Sequence, residues 1–336
     1  MIAAEDMAAC RAMIRTGSLS FHAASRVLPA RVRDPALALY AFCRVADDDV
    51  DETRDKAAAV LRLRERLDLI YDGRPKNHPS DRAFAAVVEA FDLPRALPDA
   101  LLEGLAWDAT GRRYDTLAEL HGYSARVASA VGVMMCVLMR VRDPDALARA
   151  CDLGLAMQLT NIARDVGEDA RAGRLFLPQD WLRAAGIAPE AFLADPRPSP
   201  ALARITARLL AEAEDLYRRS AAGVFSLPAD CRPGITAARY IYAAIGRRVA
   251  RQGHDSITSR ARTGKGRKAW LLGRAMATAA LTHVLPRPSL LHARPVPETA
   301  FLINAAAQRA ARPQRSETLL AILAQLEARD RHGAAG

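Results

Sequence analysis

The sequence is poor in the residue types that favour β-strands. Aromatic residues make up 5% of its 336 positions, although 51% of the chain is hydrophobic. Because β-branched and aromatic side chains favour strands whereas Ala, Leu and Arg favour helices, this composition predicts a helical protein. The high apolar content excludes a disordered chain, and the length is enough for one large domain or two ordinary ones.

Paired cysteines and long apolar runs are also lacking. The five cysteines show neither paired nor CxxC spacing, which excludes a disulfide scaffold and a structural zinc site. The longest apolar run, Val127 to Met139, is too short to span a bilayer. Glu5, Asp6 and Arg11 interrupt the start of the chain, so we expect no signal peptide and a cytoplasmic protein.

Acidic residues are scarce in the last third. From Cys231 to Gly336 there are 18 basic and 5 acidic residues, against 30 basic and 33 acidic residues before Cys231. The segment therefore has a net charge of +13, against −3 for the rest of the chain and +10 in total, which suits phosphate or an anionic membrane surface. A solvated, arginine-rich helix face is the plain alternative. The segment lacks interleaved aromatic residues and any recognised motif, so we expect no nucleic-acid partner.

Apolar residues repeat every three to four positions along most of the chain, which predicts helices separated by Gly and Pro breakers. The predicted helices cover residues 35–49, 60–70, 82–90, 97–110, 124–140, 144–166, 201–222 and 235–252. Residues 260–268 are basic and are typical of a loop or a helix entry. We predict one all-α domain over residues 1–285, then a Pro-rich linker and a C-terminal helix near 316–330 within residues 286–336.

A first carboxylate cluster ends the predicted helix 35–49. Asp47 and Asp51 are four residues apart and share one helix face, and Asp48 lies three residues before Asp51. Like charges at these spacings destabilise an isolated helix, so a countercharge such as Mg²⁺ is expected. A solvated acidic helix end is the alternative, but residues 36–42 are apolar and have the pattern of a buried segment.

A second polar stripe lies on an otherwise apolar helix. Gln158, Asn161, Asp165 and Asp169 recur at three- and four-residue intervals between apolar neighbours. Buried polar groups are costly unless they are paired, so the stripe predicts a shared ligand or a structural polar network.

Two acidic stripes can face each other across a helical bundle and hold several Mg²⁺ ions. Mg²⁺ prefers a few carboxylates together with water and substrate phosphate oxygens. This arrangement favours the ionisation of an allylic diphosphate in a dry apolar cavity. Arg44, Arg164 and Arg174 flank the stripes and either contact diphosphate or form salt bridges with neighbouring aspartates.

These motifs resemble those of the squalene/phytoene synthase family over residues 15–272. The segments that carry the resemblance are 17–21, 40–51, 103–108 with Arg113 and Tyr114, 158–169 and 173–178. The stretch over 158–169 is the most specific, since it matches the second aspartate-rich motif of the family almost letter for letter. Within the family, the similarity is greatest to bacterial enzymes that make phytoene.

The resemblance implies an all-α isoprenoid synthase helical bundle with a central cavity. It also implies Mg²⁺-dependent head-to-head condensation of two geranylgeranyl diphosphates to phytoene through prephytoene diphosphate, in carotenoid biosynthesis. The implied metal ligands are Asp47, Asp48, Asp51, Asn161, Asp165 and Asp169. The implied substrate-binding residues are Ser18, Ser20, Tyr40, Arg44, Gln158, Arg164, Arg174, Arg267 and Lys268. Tyr242 is implied to lie near the reacting carbons. The implied catalytic residues are Asp47, Asp51, Asp165, Asp169 and Tyr242.

The chain departs from the family pattern at a few positions. Leu19 replaces the usual lysine, Phe176 replaces a common tyrosine, and Ala125 and Ser129 stand where many relatives carry Tyr and Gly. None of these changes touches the carboxylates. Val131, Val133, Met134, Val137 and Leu138 are candidates for the lining of the hydrocarbon pocket, although ordinary core packing is the favoured interpretation for any one of them.

The resemblance also implies partners and leaves alternatives open. Mn²⁺ is the alternative ion, and no nicotinamide is expected, because no GxGxxG fingerprint is present. The hydrocarbon product implies peripheral membrane association and delivery to downstream carotenoid enzymes. A squalene or dehydrosqualene synthase that uses farnesyl diphosphate shares every motif. A non-catalytic relative that acts in protein assembly is the alternative of another class, but such relatives typically lose the aspartates that this chain keeps.

Overall fold

The structure, a computed structural model, describes residues 2–17, 27–52, 56–286 and 288–307, and every regular element in them is helical. The α-helices are α1 Ala4–Gly17, α2 Ala30–Glu52, α3 Lys56–Tyr71, α4 Pro79–Phe91, α5 Ala96–Ala109, α6 Leu117–Ser124, α7 Ala130–Leu138, α8 Pro144–Arg171, α9 Gln179–Ala184, α10 Pro189–Ala194, α11 Pro200–Gly223, α12 Arg232–Arg251, α13 Lys265–Leu281 and α14 Ala300–Ala307. Short 3₁₀ turns lie at Val224–Ser226, Ser289–His292 and Pro297–Thr299. The predicted all-α class is confirmed.

The two longest helices begin where the sequence provides a cap. Asp143 accepts a hydrogen bond from the backbone N–H of Ala146 at 2.9 Å, and a proline follows it in the first helical position. Ser199 caps α11 in the same way through Leu202, at 3.1 Å. Such caps satisfy backbone donors that a helix start leaves open. α8 continues to Arg171, beyond its predicted end at residue 166, and therefore carries the whole polar stripe.

A π-helical turn over Ala125–Ser129 joins α6 to α7 and packs closely on α8. The hydroxyl of Ser129 donates to the carbonyl oxygen of Cys151 at 2.8 Å. A Cβ atom at Gly154 would lie 2.6 Å from the Ser129 Cα, so the close approach of the two backbones requires glycine there.

α8 lies at the centre of the molecule and packs most extensively against α11. Asp152 on α8 is fully buried between two arginines, with its Oδ2 2.8 Å from Arg149 Nε and 3.0 Å from Arg219 Nε. Thr160 and Tyr217 join the same two helices through hydroxyls 3.1 Å apart. These buried polar contacts fix α11 on α8, and α8 positions the candidate site.

The described part of the C-terminal segment packs on the bundle. Arg149 donates to the carbonyl oxygen of Leu290 at 2.6 Å, and Arg142 donates to that of Ala306 at 2.9 Å. Leu302 and Ile303 are buried in the core. The division at residue 285 stays a prediction, and the helix predicted near 316–330 lies outside the described residues. None of the described helices has the length and apolar content needed to cross a bilayer.

Candidate active site

The polar stripe of α8 lies on the one side of the helix that is not packed into the core. Gln158, Asn161, Asp165 and Asp169 are all half-buried there, whereas most residues between them are buried. The Oδ1 atom of Asn161 is buried and has no hydrogen-bond partner among the described residues. A buried amide oxygen without a partner is costly, so this atom is free to accept a ligand.

Asp165 is held between two arginines. Arg164 Nε lies 2.7 Å from Oδ1 of Asp165, and Arg260 donates to both oxygens, at 2.7 and 3.1 Å. Burial alone raises the pKa of this carboxyl, but the hydrogen bonds from Arg164 and Arg260 outweigh it, so its pKa lies below the ordinary value. Asp165 is therefore ionised at neutral pH.

Asp169, one turn further along α8, lies in a different electrostatic environment. Burial raises its pKa, the hydrogen bond from Arg174 at 2.9 Å lowers it, and the neighbouring charges of Asp165 and Glu168 raise it again. The net pKa lies above the ordinary value, chiefly because burial disfavours the charged form of this carboxyl. Arg164 and Arg174 thus form salt bridges with neighbouring aspartates, one of the two roles expected for them. Their contact with diphosphate stays a prediction.

A glycine in α8 brings Arg260 to the stripe. The N–H of Gly167 donates to the carbonyl oxygen of Ser256 at 3.0 Å, and a Cβ atom at Gly167 would lie 2.7 Å from that oxygen. Arg171 donates to the carbonyl oxygen of Ile257 at 2.6 Å. The segment that precedes Arg260 is therefore fastened directly to α8, since only glycine leaves room for it.

Sequence reasoning did not include Arg260 among the candidate residues. In the sequence, this arginine is recognisable only as the first residue of the basic stretch 260–268. The structure also places Asp108 and Tyr123 at the site, where the hydroxyl of Tyr123 donates to Asp108 Oδ2 at 2.7 Å. The family-like segment 103–108 was the available signal for Asp108.

An apolar cavity of about 280 Å³ follows α8 from Asn161 to Ala146. At 1.5 Å of helical rise per residue this path is about 22 Å long. Gln158 and Asn161 are the polar lining residues of α8 at the stripe end of the cavity, and Arg149 of α8 lies towards the other end, with Met157, Leu153 and other apolar residues between them. The cavity suits a long apolar chain that carries one polar end group.

A second cavity of about 450 Å³ adjoins the first and is lined by Tyr40, Arg44, Asp108 and Tyr123 together with apolar residues. The residues that line both cavities are Val127, Val131, Met135, Gln158 and Tyr242. Burial raises the pKa of Tyr242, although the nearby charge of Arg164 lowers it, so the phenol of Tyr242 stays protonated at neutral pH.

The first acidic cluster lies on the last turns of α2. The backbone of α2 is helical through Asp47, Asp48 and Asp51, but the side chains of these three residues lie outside what the structure describes. Ser18 and Ser20 lie outside the described residues altogether.

The structure places one of the five candidate lining residues at the cavities. Val131 lines both cavities, but Val133, Met134, Val137 and Leu138 are fully buried, and neither cavity includes them. These four residues pack in the core, which was the favoured interpretation for each.

Arg267 and Lys268 lie near the start of α13. Arg267 lines a separate basic cleft with Arg248, Arg251 and Arg262, and this cleft shares no lining residue with the two cavities. The guanidinium of Arg267 lies 4.4 Å from the ring centre of Trp270. A role of Arg267 and Lys268 at the diphosphate stays a prediction.

Comparisons with known proteins agree with this geometry. The chain is 66% identical to a phytoene synthase of Rhodobacter capsulatus, over 98% of both chains, and 63% identical to one of Cereibacter sphaeroides, over 98% of this chain and 96% of the relative. A crystal structure of a dehydrosqualene synthase superposes with a TM-score of 0.77 at 32% identity, covering 82% of this chain and 97% of the other.

The sequence profile of the squalene/phytoene synthase family matches residues 14–268, which include α8, α12 and the segment that carries Arg260. The fold and family that the motifs predicted are confirmed. The match spans most of the chain, and the chain therefore belongs to the squalene/phytoene synthase family.

Proposed function

We propose that this chain is a prenyltransferase of the phytoene synthase type, which condenses two molecules of geranylgeranyl diphosphate to phytoene in carotenoid biosynthesis. The observation that carries the proposal is the pair of adjoining cavities that share one wall beside the α8 stripe. A reaction that joins two prenyl diphosphates needs space for two apolar tails that converge on one centre. The identity to phytoene synthases over nearly the full chain supports this choice of substrate.

The chemistry balances without a reductant. Loss of diphosphate from one substrate gives an allylic cation, which the double bond of the other attacks, and loss of a proton closes the cyclopropane of prephytoene diphosphate. Loss of the second diphosphate, rearrangement and loss of a second proton give phytoene. No hydride is consumed, so no nicotinamide is needed.

The shared wall protects the cation and positions the leaving group. Val127, Val131 and Met135 exclude water from the junction of the cavities, where water would capture the cation. Tyr242, protonated in the same wall, is suited to donate a hydrogen bond to the departing diphosphate.

Enzymes that ionise prenyl diphosphates generally need a divalent metal, and we propose Mg²⁺, with Mn²⁺ as the alternative. The donor set fits a hard cation, because Asn161 offers a buried oxygen without a partner and Asp165 and Asp169 follow at one-turn intervals. When bound, the metal neutralises the charge of the departing diphosphate. In the described part of the chain no three His, Cys, Asp or Glu side chains form a metal site by themselves. The further ligands we propose are substrate oxygens and Asp47, Asp48 and Asp51.

The diphosphates also need cationic and polar partners from the protein. Arg44 faces the second cavity, and Arg164 and Arg174 lie beside the α8 carboxylates. The proposed diphosphate-binding set is Ser18, Ser20, Tyr40, Arg44, Gln158, Arg164, Arg174, Arg267 and Lys268. We place the enzyme in the cytoplasm, at the membrane surface, where downstream carotenoid enzymes take up the product.

The test supplies the purified protein with C20 or C15 prenyl diphosphate and Mg²⁺, with and without NADPH, and identifies the products by chromatography. We expect phytoene from the C20 substrate, independent of NADPH. A preference for the C15 substrate would assign the chain to the dehydrosqualene or squalene synthases. No hydrocarbon from either substrate would contradict an enzymatic role and favour the role in protein assembly.

The matched variants for this assay are Asp165→Ala and Asp215→Ala. Asp165→Ala should abolish turnover and leave the thermal unfolding midpoint near that of the wild type. Asp215, which is 63% exposed and pairs with Arg218 on α11, should be replaceable without effect on turnover.

A further inference from the structure

The chain exposes a row of large apolar side chains after α12. Trp270 is 51% exposed, Leu281 53%, Val284 79%, Leu285 52% and Leu290 44%. Trp270 and Leu281 are eleven positions apart on α13, three helical turns, and so lie on one face. The opposite face of α13 packs on α12 through Leu271, Ala275 and Ala279. We call the exposed set Trp270, Leu281, Val284, Leu285 and Leu290 the apolar ridge.

The segment that carries the apolar ridge is basic, although Asp145 of α8 lies beside it, with its Oδ2 2.5 Å from His292 Nδ1. Residues 256–297 contain eight basic residues and no acidic one. Arg274 on α13 lies 5.7 Å from the ring centre of Trp270, and the cleft of Arg248, Arg251 and Arg262 opens beside the start of the same helix. An apolar ridge flanked by arginines is the composition of a surface that enters the headgroup region of an anionic membrane.

Hydrogen bonds from two arginines join the apolar ridge to the end of the apolar cavity that lies furthest from the α8 stripe. Arg149, which lines the cavity, donates to the carbonyl oxygen of Leu290 at 2.6 Å. Arg232 donates to the carbonyl oxygen of Leu227, another lining residue, at 3.0 Å and to the hydroxyl of Thr282 at 2.9 Å. The end of the cavity furthest from the α8 stripe therefore lies beneath this part of the ridge.

We propose that the apolar ridge docks on an anionic bilayer and that the hydrocarbon product leaves the far end of the apolar cavity into the lipid. The release step rests on the proposed function, whereas the docking step does not. Charge argues against one other occupant, residues 308–336, which contain five basic and three acidic residues and would be repelled by the basic flanks. A second copy would have to meet the flanks with residues 1–230, which contain 30 basic and 33 acidic residues, and the oligomeric state tests that arrangement.

Co-sedimentation of the full chain with vesicles tests the docking step. We expect binding to phosphatidylcholine vesicles that contain phosphatidylglycerol, and much weaker binding to phosphatidylcholine alone. The double variant Leu281→Ser/Val284→Ser should bind about tenfold more weakly or worse, because two side chains no longer enter the apolar layer. Leu61→Ser is the matched control, since Leu61 on α3 is 65% exposed and lies outside the ridge.

Three outcomes would overturn docking. The first is equal binding by the double variant and the wild type, and the second is no binding to anionic vesicles. The third is a wild-type dimer in light scattering that the double variant dissociates, which would assign the ridge to a second copy. Brominated lipid should quench the fluorescence of Trp270, and the quenching should be lost in Trp270→Phe.

The release step has a separate readout. In detergent, which accepts the hydrocarbon, the wild type and the double variant should form phytoene at equal rates. With anionic vesicles as the only acceptor, the double variant should turn over more slowly after the first product molecule. Equal steady-state rates with vesicles would overturn release into lipid, and an inactive wild type in detergent would instead contradict the proposed function.

Discussion

Arg260 donates two hydrogen bonds to Asp165 across 95 residues of sequence, from Nε to Oδ1 at 2.7 Å and from Nη2 to Oδ2 at 3.1 Å. Its Nε also lies 3.0 Å from Glu168 Oε2. Arg260 is thus a second cation, beside Arg164, that the chain itself places at the middle of the α8 stripe.

Replacing Arg260 by alanine should lower kcat/KM for phytoene formation about ten- to a hundredfold, because charge-assisted hydrogen bonds of this kind contribute about 1.5–3 kcal/mol. Arg260→Lys keeps the charge but loses the bidentate hydrogen bond to Asp165. Its kcat/KM should therefore lie between those of the alanine variant and the wild type. Arg218→Ala removes an exposed arginine that pairs with Asp215, and it should leave the rate unchanged. An unaltered rate in Arg260→Ala would remove this residue from the site.

Gly167→Ala should displace the segment that carries Arg260. The new Cβ atom would meet the carbonyl oxygen of Ser256 at 2.7 Å, so backbone must move. We expect about a tenfold loss of activity and a cost of about 1–3 kcal/mol in the free energy of unfolding. Gly273→Ala on α13, where a Cβ atom meets nothing within 4 Å, is the control and should be neutral or slightly stabilising. Equal behaviour of the two variants in urea unfolding would contradict this expectation.

Asp152 is expected to be the most sensitive polar residue of the core. Its removal leaves Arg149 and Arg219 facing each other without a counterion, so Asp152→Ala should cost about 3–5 kcal/mol in the free energy of unfolding. The matched Asp215→Ala variant breaks an exposed pair and should cost less than about 1 kcal/mol. Chemical denaturation of both variants compares the two costs directly. Similar values would show that the buried ion pairs of Asp152 contribute no more to stability than the exposed pair of Asp215.

His121 should make the stability of the fold depend on pH. Burial lowers its pKa below 6.5, although the charges of Glu212, Glu298 and Asp152 oppose this shift. The unfolded chain takes up a proton near pH 6.5 and the folded chain only at lower pH, so stability is lost as the pH falls through 6.5. The slope is at most about 1.4 kcal/mol per pH unit.

Urea midpoints measured between pH 7.5 and about pH 5 test this dependence. His121→Gln should flatten the slope, whereas His283→Gln, which changes an exposed histidine, should keep it. If the wild type and His121→Gln show the same slope, another group titrates in this range.

The sequence was sufficient to predict the all-α class, eight of the helical stretches, the polar stripe of α8 and the family, but α1 and α13 were not among the predicted helices. The stripe was readable because Asn161, Asp165 and Asp169 follow helical spacing within one local segment. The contact of Arg260 with Asp165 could not be predicted, because it depends on the close approach of the Ser256 backbone to Gly167. A single glycine within a helix does not show which segment packs against it.

The sequence does not show which residues of the predicted helix 124–140 line the cavities. A regular helix over residues 124–140 was assumed, but the π-helical turn Ala125–Ser129 inserts an extra residue per turn and rotates the helix beyond it. Val131 and Met135 consequently face the cavities, while Val133 and Val137 face the core. Apolar periodicity cannot distinguish these phases when nearly every residue of the segment is apolar.

The central claim is the head-to-head condensation of two C20 diphosphates without a reductant. The most direct measurement incubates the purified protein with geranylgeranyl diphosphate and Mg²⁺ alone, and quantifies released diphosphate and hydrocarbon in the same sample. We predict two diphosphates for each phytoene and no product when the metal is chelated. Diphosphate release without a C40 hydrocarbon, or a hydrocarbon that appears only with NADPH, would contradict the claim.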